Sequence, residues 1–404
     1  MTVTIHPSVA RGAVRAAPSK SMAHRLLICA ALAKGESVIK GVGESEDVKA
    51  TIRSLSALGV SCTLCGDTVR VVGTDAFCAS AKEPLFCNES GSTLRFLIPI
   101  ALLSGKTVML RGAKALFRRP MSVYEQLCRE RGLLFTTDEE SAVVRGPLTA
   151  GEYRVAGNVS SQFISGLLFA LPLLAGDSVI RITPPLESRS YIDLTTTALA
   201  AFGVRTEWLD DYTLAIPGGQ SYAPRELTVE GDYSGASYLA ALGALGGEVT
   251  VEGLRPDSLQ GDRAYERYFP MLLRGTPTIH IGDCPDLGPT LFAVAAARHG
   301  AVFTGTARLR IKESDRATVM AEELAKFGTT VSVDEDSAVV YPSDFHAPRE
   351  VLYGHNDHRI VMALAVLCTL TGGTIEGAEA VNKSFPDFFE KLEALGISLT
   401  KTNE

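Results

Sequence analysis

The 404-residue sequence predicts an α/β protein of two similar domains, each built from three repeated βαβαββ-type units, and three observations predict it. First, an apolar helical run ends in Gly and opens a short strand at Gly35, Gly105, Gly176, Gly247, Gly300 and Gly373, in steps of 70, 71, 71, 53 and 73 residues. Second, a further helix ends in an apolar–Gly pair at Gly59, Gly132, Gly203, Gly275, Gly328 and Gly396, in steps of 73, 71, 72, 53 and 68. The two anchors agree on six units and on the short step. Third, four units continue into hairpin-like segments, VSCTLCGDTVRVVG, LLFTTDEESAVVRG, VRTEWLDDYTLAIPG and TVSVDEDSAVVYP, whose turns carry Gly-Asp, Asp-Glu and Asp-Asp.

Taken in order, each unit reads as strand, helix, strand, helix and strand, with the hairpin after the second Gly. The fourth unit runs from Thr276-Pro277-Thr278-Ile279-His280-Ile281 straight into GDCPDLGPT, so it has no hairpin and its step shortens. The sixth stops at Ile397-Ser398-Leu399-Thr400, and the leading strand Val3-Thr4-Ile5 is the piece that completes it. First and last segments then close into one domain. The Pro/Gly-rich stretch from Pro217 to Leu227 is a crossing between domains, and Arg15 to Pro18 is the other. Residues 1–15 with 228–404 (units four to six) are expected as one domain and 16–227 (units one to three) as the second, with a double crossover near 15–18 and 217–230. Halves joined this way make a cleft that can close, and the active site is expected there.

Composition narrows the function class. With 39 Lys plus Arg against 46 Asp plus Glu, a net charge of -7, 46% hydrophobic residues and 7% aromatics, the chain is an ordinary globular one. Disorder, collagen and disulfide scaffolds are excluded, and the acidic balance argues against nucleic acid or an anionic membrane surface as partner. The longest apolar runs, Phe96 to Leu103 and Ile360 to Leu370, are too short to span a bilayer. MTVTIHPSVARGAVR lacks the apolar core of a secretory signal, so a cytoplasmic protein is expected. Eight cysteines (Cys29, Cys62, Cys65, Cys78, Cys87, Cys128, Cys284 and Cys368) read as free thiols in a reducing compartment.

Polar strings recur where an extended segment turns into the first helix of a unit: SKSMAHR, NESGSTLR, GNVSSQF, GDYSGAS, CPDLGPT and GHNDHR. LFRRPM, PPLESRSYID, RIKESDR and NKSFPDFF precede second helices. Helix starts offer unpaired N–H groups and partial positive charge, so Ser and Gly there serve as caps or as an anion site. Capping needs no cations, and the macrodipole disfavours them in a first turn. Lys20, Arg25, Arg95, Arg119, Lys312, Arg316, Arg359 and Lys383 nonetheless stand in these strings, which points to a polyanionic ligand.

Other signals are weaker. Cys62-Thr63-Leu64-Cys65 has metal-knuckle spacing but falls in a hairpin with no second pair, so no metal is expected. NESGSTLR lacks the GxxxxGK[ST] order of an ATP-binding loop. His355 and His358 have no third ligand and read as hydrogen-bonding, positioning residues. Asp286, where the hairpin is deleted, and Glu313, beside Lys312, are acid–base candidates.

Together SKSMAHR, NESGSTLR, FRRPM, SSQF, RIKESDR, NDHR and KSFPDFF, in this order from Ser19 to Phe389, resemble the 5-enolpyruvylshikimate-3-phosphate synthase family of enolpyruvyl transferases. The resemblance implies two inside-out α/β domains and a cofactor-free transfer of the enolpyruvyl group of phosphoenolpyruvate to the 5-hydroxyl of shikimate 3-phosphate, releasing phosphate, on the shikimate pathway to chorismate and the aromatic amino acids. Carried over, Lys20, Ser21, Arg25, Ser160, Ser161, Gln162, Ser188, Asp286 and Lys312 hold shikimate 3-phosphate, with Tyr191 close by. Lys20, Gly91, Arg119, Gln162, Arg316, Arg359 and Lys383 hold phosphoenolpyruvate. Asp286 matches the acceptor of the 5-hydroxyl proton and Glu313 the donor to the methylene carbon, with Lys20 a third catalytic group.

Two positions depart from the pattern: Glu89 stands where many members carry Asn, and Arg308 where some carry an Asn that touches the shikimate ring. Gly91 is kept, so glyphosate is expected to compete with phosphoenolpyruvate. The related UDP-N-acetylglucosamine enolpyruvyl transferases carry a reactive Cys where this chain reads GAKALFR, and they lack NDHR. A non-catalytic phosphate-metabolite binding protein is the other alternative. The expected partners are the two small anions, bound by a monomer that closes around them.

Overall fold

The computed structural model describes residues 1–75, 81 and 83–402, and among these each repeat contributes one sheet. The second repeat shows the plan. Strands Leu85–Phe86, Thr107–Arg111, Ser141–Arg145 and Leu134–Thr137 lie side by side in that order, the first pair parallel and the others antiparallel. A parallel pair needs a crossover, and the helix Gly91–Ala101 supplies it. The antiparallel pair is the hairpin after Gly132.

The same order recurs in four more sheets. In the sixth repeat the leading strand Thr2–Ile5 sits between Gly373–Glu376 and Leu399–Thr402, antiparallel to both, with Val3 opposite Ile375 and Lys401. The leading strand does complete the last unit. In the fourth repeat Arg11–Arg15 pairs in parallel with Glu248–Glu252 and no hairpin follows, which leaves two strands. The second-anchor glycines record the same exception. Gly59, Gly132, Gly203, Gly328 and Gly396 have φ between 64° and 95°, the left-handed turn that ends a helix and aims the chain into a hairpin, whereas Gly275 of the fourth repeat is extended at φ 170°.

The chain forms two compact units, Met1–Ala17 with Gly231–Glu404, and Pro18–Glu230. Within Pro18–Glu230 the first helices of the repeats, Lys20–Leu32, Gly91–Ala101 and Ser161–Ala170, are buried on nearly every face, as their all-round apolar sequences require. Phe96 and Phe169 meet between two of them with ring centroids 5.3 Å apart. The second helices, Glu46–Ala57, Ser122–Glu130 and Arg189–Ala201, bury one stripe only. The other unit repeats this with Tyr233–Ala244, Gly288–Ala296 and His358–Thr371 as its buried helices. Helices lie inside and sheets outside, the inside-out α/β arrangement. Cys29, Cys87, Cys128, Cys284 and Cys368 are buried in these cores, Cys62 and Cys65 lie on a hairpin strand, and Cys78 falls outside the described residues. Among the described residues no helix is long and apolar enough to cross a membrane.

Candidate active site

In the unit Pro18–Glu230, parallel pairing starts the buried helices at one end, and the polar strings gather there. Lys20 is the first residue of its helix, capped by Ser19, and its ammonium reaches Asp47 Oδ2 at 2.7 Å. Arg25 lies one turn further in, 2% exposed. Helical side chains lean toward the N-terminus, so its guanidinium reaches back: Nη1 donates to the Ser21 carbonyl at 2.6 Å, Nη2 to the Tyr191 carbonyl at 2.8 Å and Nε to Thr195 Oγ1 at 2.8 Å. Burial pulls Arg25 down to about 10.

Arg95, also a turn inside its helix, donates to Gln162 Oε1 at 2.7 Å and to the Pro120 carbonyl at 2.9 Å, while Gln162 Nε2 donates to Ser92 Oγ at 3.1 Å. Gly91 opens the same helix. A Cβ there would lie 2.9 Å from Arg119 Nη1 and 3.2 Å from Gln162 Oε1, so only Gly lets the guanidinium come this close. Ser160 caps the Ser161–Ala170 helix and accepts Gln162 N–H at 3.3 Å. Ser188, fully buried, holds a left-handed backbone (φ 57°) before Arg189–Ala201, a conformation that costs of order 1–3 kcal/mol in a non-Gly residue and collects at functional sites.

The unit containing Gly231–Glu404 holds a second cluster. Asp286 sits in a short 3-10 turn, Pro285–Leu287, where the missing hairpin shortens the chain. Three cations converge on it: Lys312 Nζ at 3.2 Å, Arg316 Nη1 at 2.9 Å and Arg359 Nη2 at 2.9 Å. Arg316 also pairs with Glu313 and donates Nε–H to Asp357 Oδ2 at 2.8 Å. Burial opposes its charge, yet Asp357, Glu313 and Asp286 outweigh that and hold Arg316 well above its ordinary range. Burial pulls Lys312 down to about 8; Asp286 resists this, and Arg308 and Arg316 add to it. Lys383 Nζ donates to the Asn356 carbonyl at 2.6 Å.

The expectation that the cations occupy helix first turns is corrected in part. Lys20, Arg316 and Arg359 do, each against a carboxylate. Arg25 and Arg95 stand a turn inside, Arg119 lies between Lys114–Phe117 and Ser122–Glu130, Lys312 follows the turn Ala307–Ile311, and Lys383 ends the turn Ala378–Lys383. Long side chains need only reach the helix end, not start from it.

Sequence reasoning missed Asp47, Thr195, Asp357 and Glu323. Glu323, 1% exposed, accepts Lys326 at 2.8 Å and lies 2.9 Å from His355 Nε2. It anchors a loop in which His355 and Asn356 are both left-handed, at φ 49° and 52°. His355 thus makes a hydrogen bond to Glu323, the kind of contact its sequence context suggested. Asp47, in the Ser-Glu-Asp start of a helix, had a capping signal only. Among the described residues no group of three or more His, Cys, Asp or Glu is disposed to hold a metal ion.

A family model described as EPSP synthase (3-phosphoshikimate 1-carboxyvinyltransferase) matches residues 6–392. The chain is 40% identical to a 3-phosphoshikimate 1-carboxyvinyltransferase of Clostridium kluyveri, over 98% of this chain and 97% of that one, and 40% identical to one of Clostridium perfringens, over 98% of each. Solved structures share the fold: the EPSP synthase of Acinetobacter baumannii superposes with a TM-score of 0.79 at 24% identity, covering 99% of this chain and all of that one. The enolpyruvyl transferase NikO of Streptomyces tendae gives 0.80 at 17% identity, covering 99% and 98%. With the family matched over nearly its whole length, the chain belongs to the EPSP synthases, the 3-phosphoshikimate 1-carboxyvinyltransferases, whose reaction is the enolpyruvyl transfer of the shikimate pathway.

Proposed function

We propose that the residues of the two clusters bind the family's two substrates for the transfer of the enolpyruvyl group of phosphoenolpyruvate to the 5-hydroxyl of shikimate 3-phosphate. Ser21, Arg25, Ser160, Ser161, Gln162, Ser188 and Lys312 hold shikimate 3-phosphate, with Tyr191 beside them. Gly91, Arg119, Gln162, Arg316, Arg359 and Lys383 hold phosphoenolpyruvate, and Lys20 touches both substrates. The observation that carries this reading is Arg25. Among the described residues it is a buried cation whose three hydrogen bonds all go to neutral oxygens, so its charge is left for an anion to compensate.

In the addition step Asp286 accepts the 5-hydroxyl proton as that oxygen bonds to C2 of phosphoenolpyruvate. Glu313, with Lys20, delivers a proton to the methylene carbon, giving a tetrahedral phosphoketal. In the elimination step a proton leaves the new methyl group, the C2–O bond to phosphate breaks, and the double bond re-forms. Arg316 and Arg359 bear on this chemistry because each is bonded to Asp286. An anion drawing the two guanidinia to itself frees the carboxylate to take the proton. We place the reaction in a cytoplasmic monomer.

The test is phosphate release from purified protein given both substrates, with each omitted in turn. Turnover needs both, and Lys20→Met and Asp286→Ala abolish it while the fold is retained. Phosphate release without shikimate 3-phosphate overturns the reading.

A further inference from the structure

Behind Lys20 and Gly91 runs a buried string of polar side chains that the chemistry above does not use. His24 lies one turn after Lys20 on the Lys20–Leu32 helix, and Thr51 one turn after Asp47 on Glu46–Ala57, so each pair shares a helix face. Two successive rungs therefore join these helices: Lys20 Nζ to Asp47 Oδ2 at 2.7 Å, and His24 Nδ1 to Thr51 Oγ1 at 2.7 Å. Thr51 Oγ1 lies 2.6 Å from Thr93 Oγ1 of the Gly91–Ala101 helix. Thr93 Oγ1 donates to Ser90 Oγ at 2.8 Å, and Ser90 caps that helix directly before Gly91, accepting Thr93 N–H at 3.2 Å. His24, Thr51, Thr93 and Ser90 are all 0% exposed.

Counting hydrogens gives the string a direction. Thr93 directs its one hydroxyl hydrogen to Ser90 Oγ at 2.8 Å, with the Asp47 carbonyl at 3.4 Å, so it accepts from Thr51; Thr51 has then used its own, so it accepts from His24 Nδ1–H. By this count the imidazole is assigned the Nδ1–H tautomer, with Nε2 buried and without a partner among the described residues. Burial first, then Lys20 and Arg25, hold its pKa well below the ordinary range, so the ring stays neutral. In a dry string a slipped rung between His24, Thr51 and Thr93 strands a polar atom, so the string holds one spacing.

We propose that His24, Thr51 and Thr93 are positioning residues for phosphoenolpyruvate, setting the spacing between the Lys20 ammonium and the first-turn N–H groups at Gly91 so that one anion meets both. The proposal rests on the assignment of Lys20 and Gly91 to that substrate. Ser21 and Arg25 of the same helix are assigned to shikimate 3-phosphate, but Arg25 is held by Tyr191 and Thr195 rather than by the string, and Ser161 and Ser188 stand on and before other helices. Loss of the string should therefore weaken phosphoenolpyruvate more than shikimate 3-phosphate.

Steady-state kinetics on Thr51→Val, Thr51→Ser, His24→Leu and His24→Asn test this, with Lys20→Met alongside. Thr51→Val and His24→Leu raise KM for phosphoenolpyruvate about 3–10-fold, the worth of one hydrogen bond, while kcat and KM for shikimate 3-phosphate stay within about twofold. Thr51→Ser and His24→Asn keep a hydroxyl and a donor in place and restore the unmodified KM. Equal rises in both KM values, a loss confined to kcat, or a lower melting temperature with KM for phosphoenolpyruvate unchanged overturns the proposal. Should Thr51→Val fail to fold, the His24 pair gives the same reading. A Lys20→Met variant with unaltered KM for phosphoenolpyruvate refutes the underlying assignment, whereas an inactive one beside an unaltered Thr51→Val refutes only the string.

Discussion

Asp357 Oδ2 accepts the Nε–H of Arg316 at 2.8 Å across 41 residues of chain, with both side chains at most 1% exposed. The same carboxylate caps the His358–Thr371 helix, accepting Arg359 N–H at 2.9 Å, and receives the Ser314 hydroxyl at 3.0 Å. One buried group thus orients Arg316 and the turn that carries Arg359. Removing one partner of such a pair destabilises by about 3–5 kcal/mol. Asp357→Ala should show this loss in chemical denaturation, and the milder Asp357→Asn should raise KM for phosphoenolpyruvate at least about tenfold. An unchanged KM in Asp357→Asn would remove Arg316 and Arg359 from the phosphoenolpyruvate site.

If Lys312 holds shikimate 3-phosphate as proposed, the binding of that substrate should depend on pH. Its ammonium, pulled down to about 8 by burial, loses its charge as the pH rises through that value, while the neighbouring Arg308 and Arg316 stay charged. KM for shikimate 3-phosphate should accordingly rise above about pH 8, approaching about tenfold per pH unit. Lys312→Arg should flatten the profile. The same shift weighs against the folded state below about pH 8, where the buried cation is charged, and its penalty fades as the pH climbs toward the ordinary value of 10.5. A pH profile identical in Lys312→Arg and the unmodified chain would contradict the assignment.

Gly91→Ala tests the close approach of Arg119. The added Cβ at 2.9 Å from Nη1 must displace the guanidinium, a flexible group, so the fold should survive and KM for phosphoenolpyruvate should rise about tenfold with kcat largely kept. Glyphosate should inhibit the unmodified chain competitively with phosphoenolpyruvate; full activity at millimolar-scale glyphosate would rule that out.

Arg25 carries the shikimate 3-phosphate assignment. Arg25→Gln removes the buried charge, and KM for that substrate should rise about 10–100-fold, the range for hydrogen bonds to a charged group. Arg25→Lys keeps the charge but not the three-way fork, so its KM should fall between the two. Isothermal titration with shikimate 3-phosphate alone reads the effect directly, and equal affinity in Arg25→Gln would discard the assignment.

How much of this was legible follows from how local each signal is. The hairpin Leu134–Thr137 with Ser141–Arg145 is readable because its turn and its alternation lie within a dozen residues, and Gly132 needs only its own backbone to end a helix. The missing fourth hairpin was readable as a shortened step, and Asp286 sits where it shortens. Arg25 could be marked as an odd cation, but its partners Tyr191 and Thr195 lie 166 and 170 residues away. Asp357 stood inside a motif, yet its role depends on Arg316, which belongs to another repeat.

The sequence by itself determined the six repeats, the strand that closes the last one, and the set of cations too numerous for capping. Those properties come from periodicity, turn chemistry and charge counting, which act over a few residues. Only the tertiary structure decided which carboxylate meets which cation: Asp47 with Lys20, Asp286 with Lys312, Arg316 and Arg359, and Asp357 with Arg316. It alone left Arg25 among neutral oxygens and strung His24, Thr51 and Thr93 together in a dry core. The physical reason is that a buried charge or hydroxyl must be satisfied by whatever packing brings within about 3 Å, and that neighbour is set by the stacking of repeats, not by the order of residues along the chain.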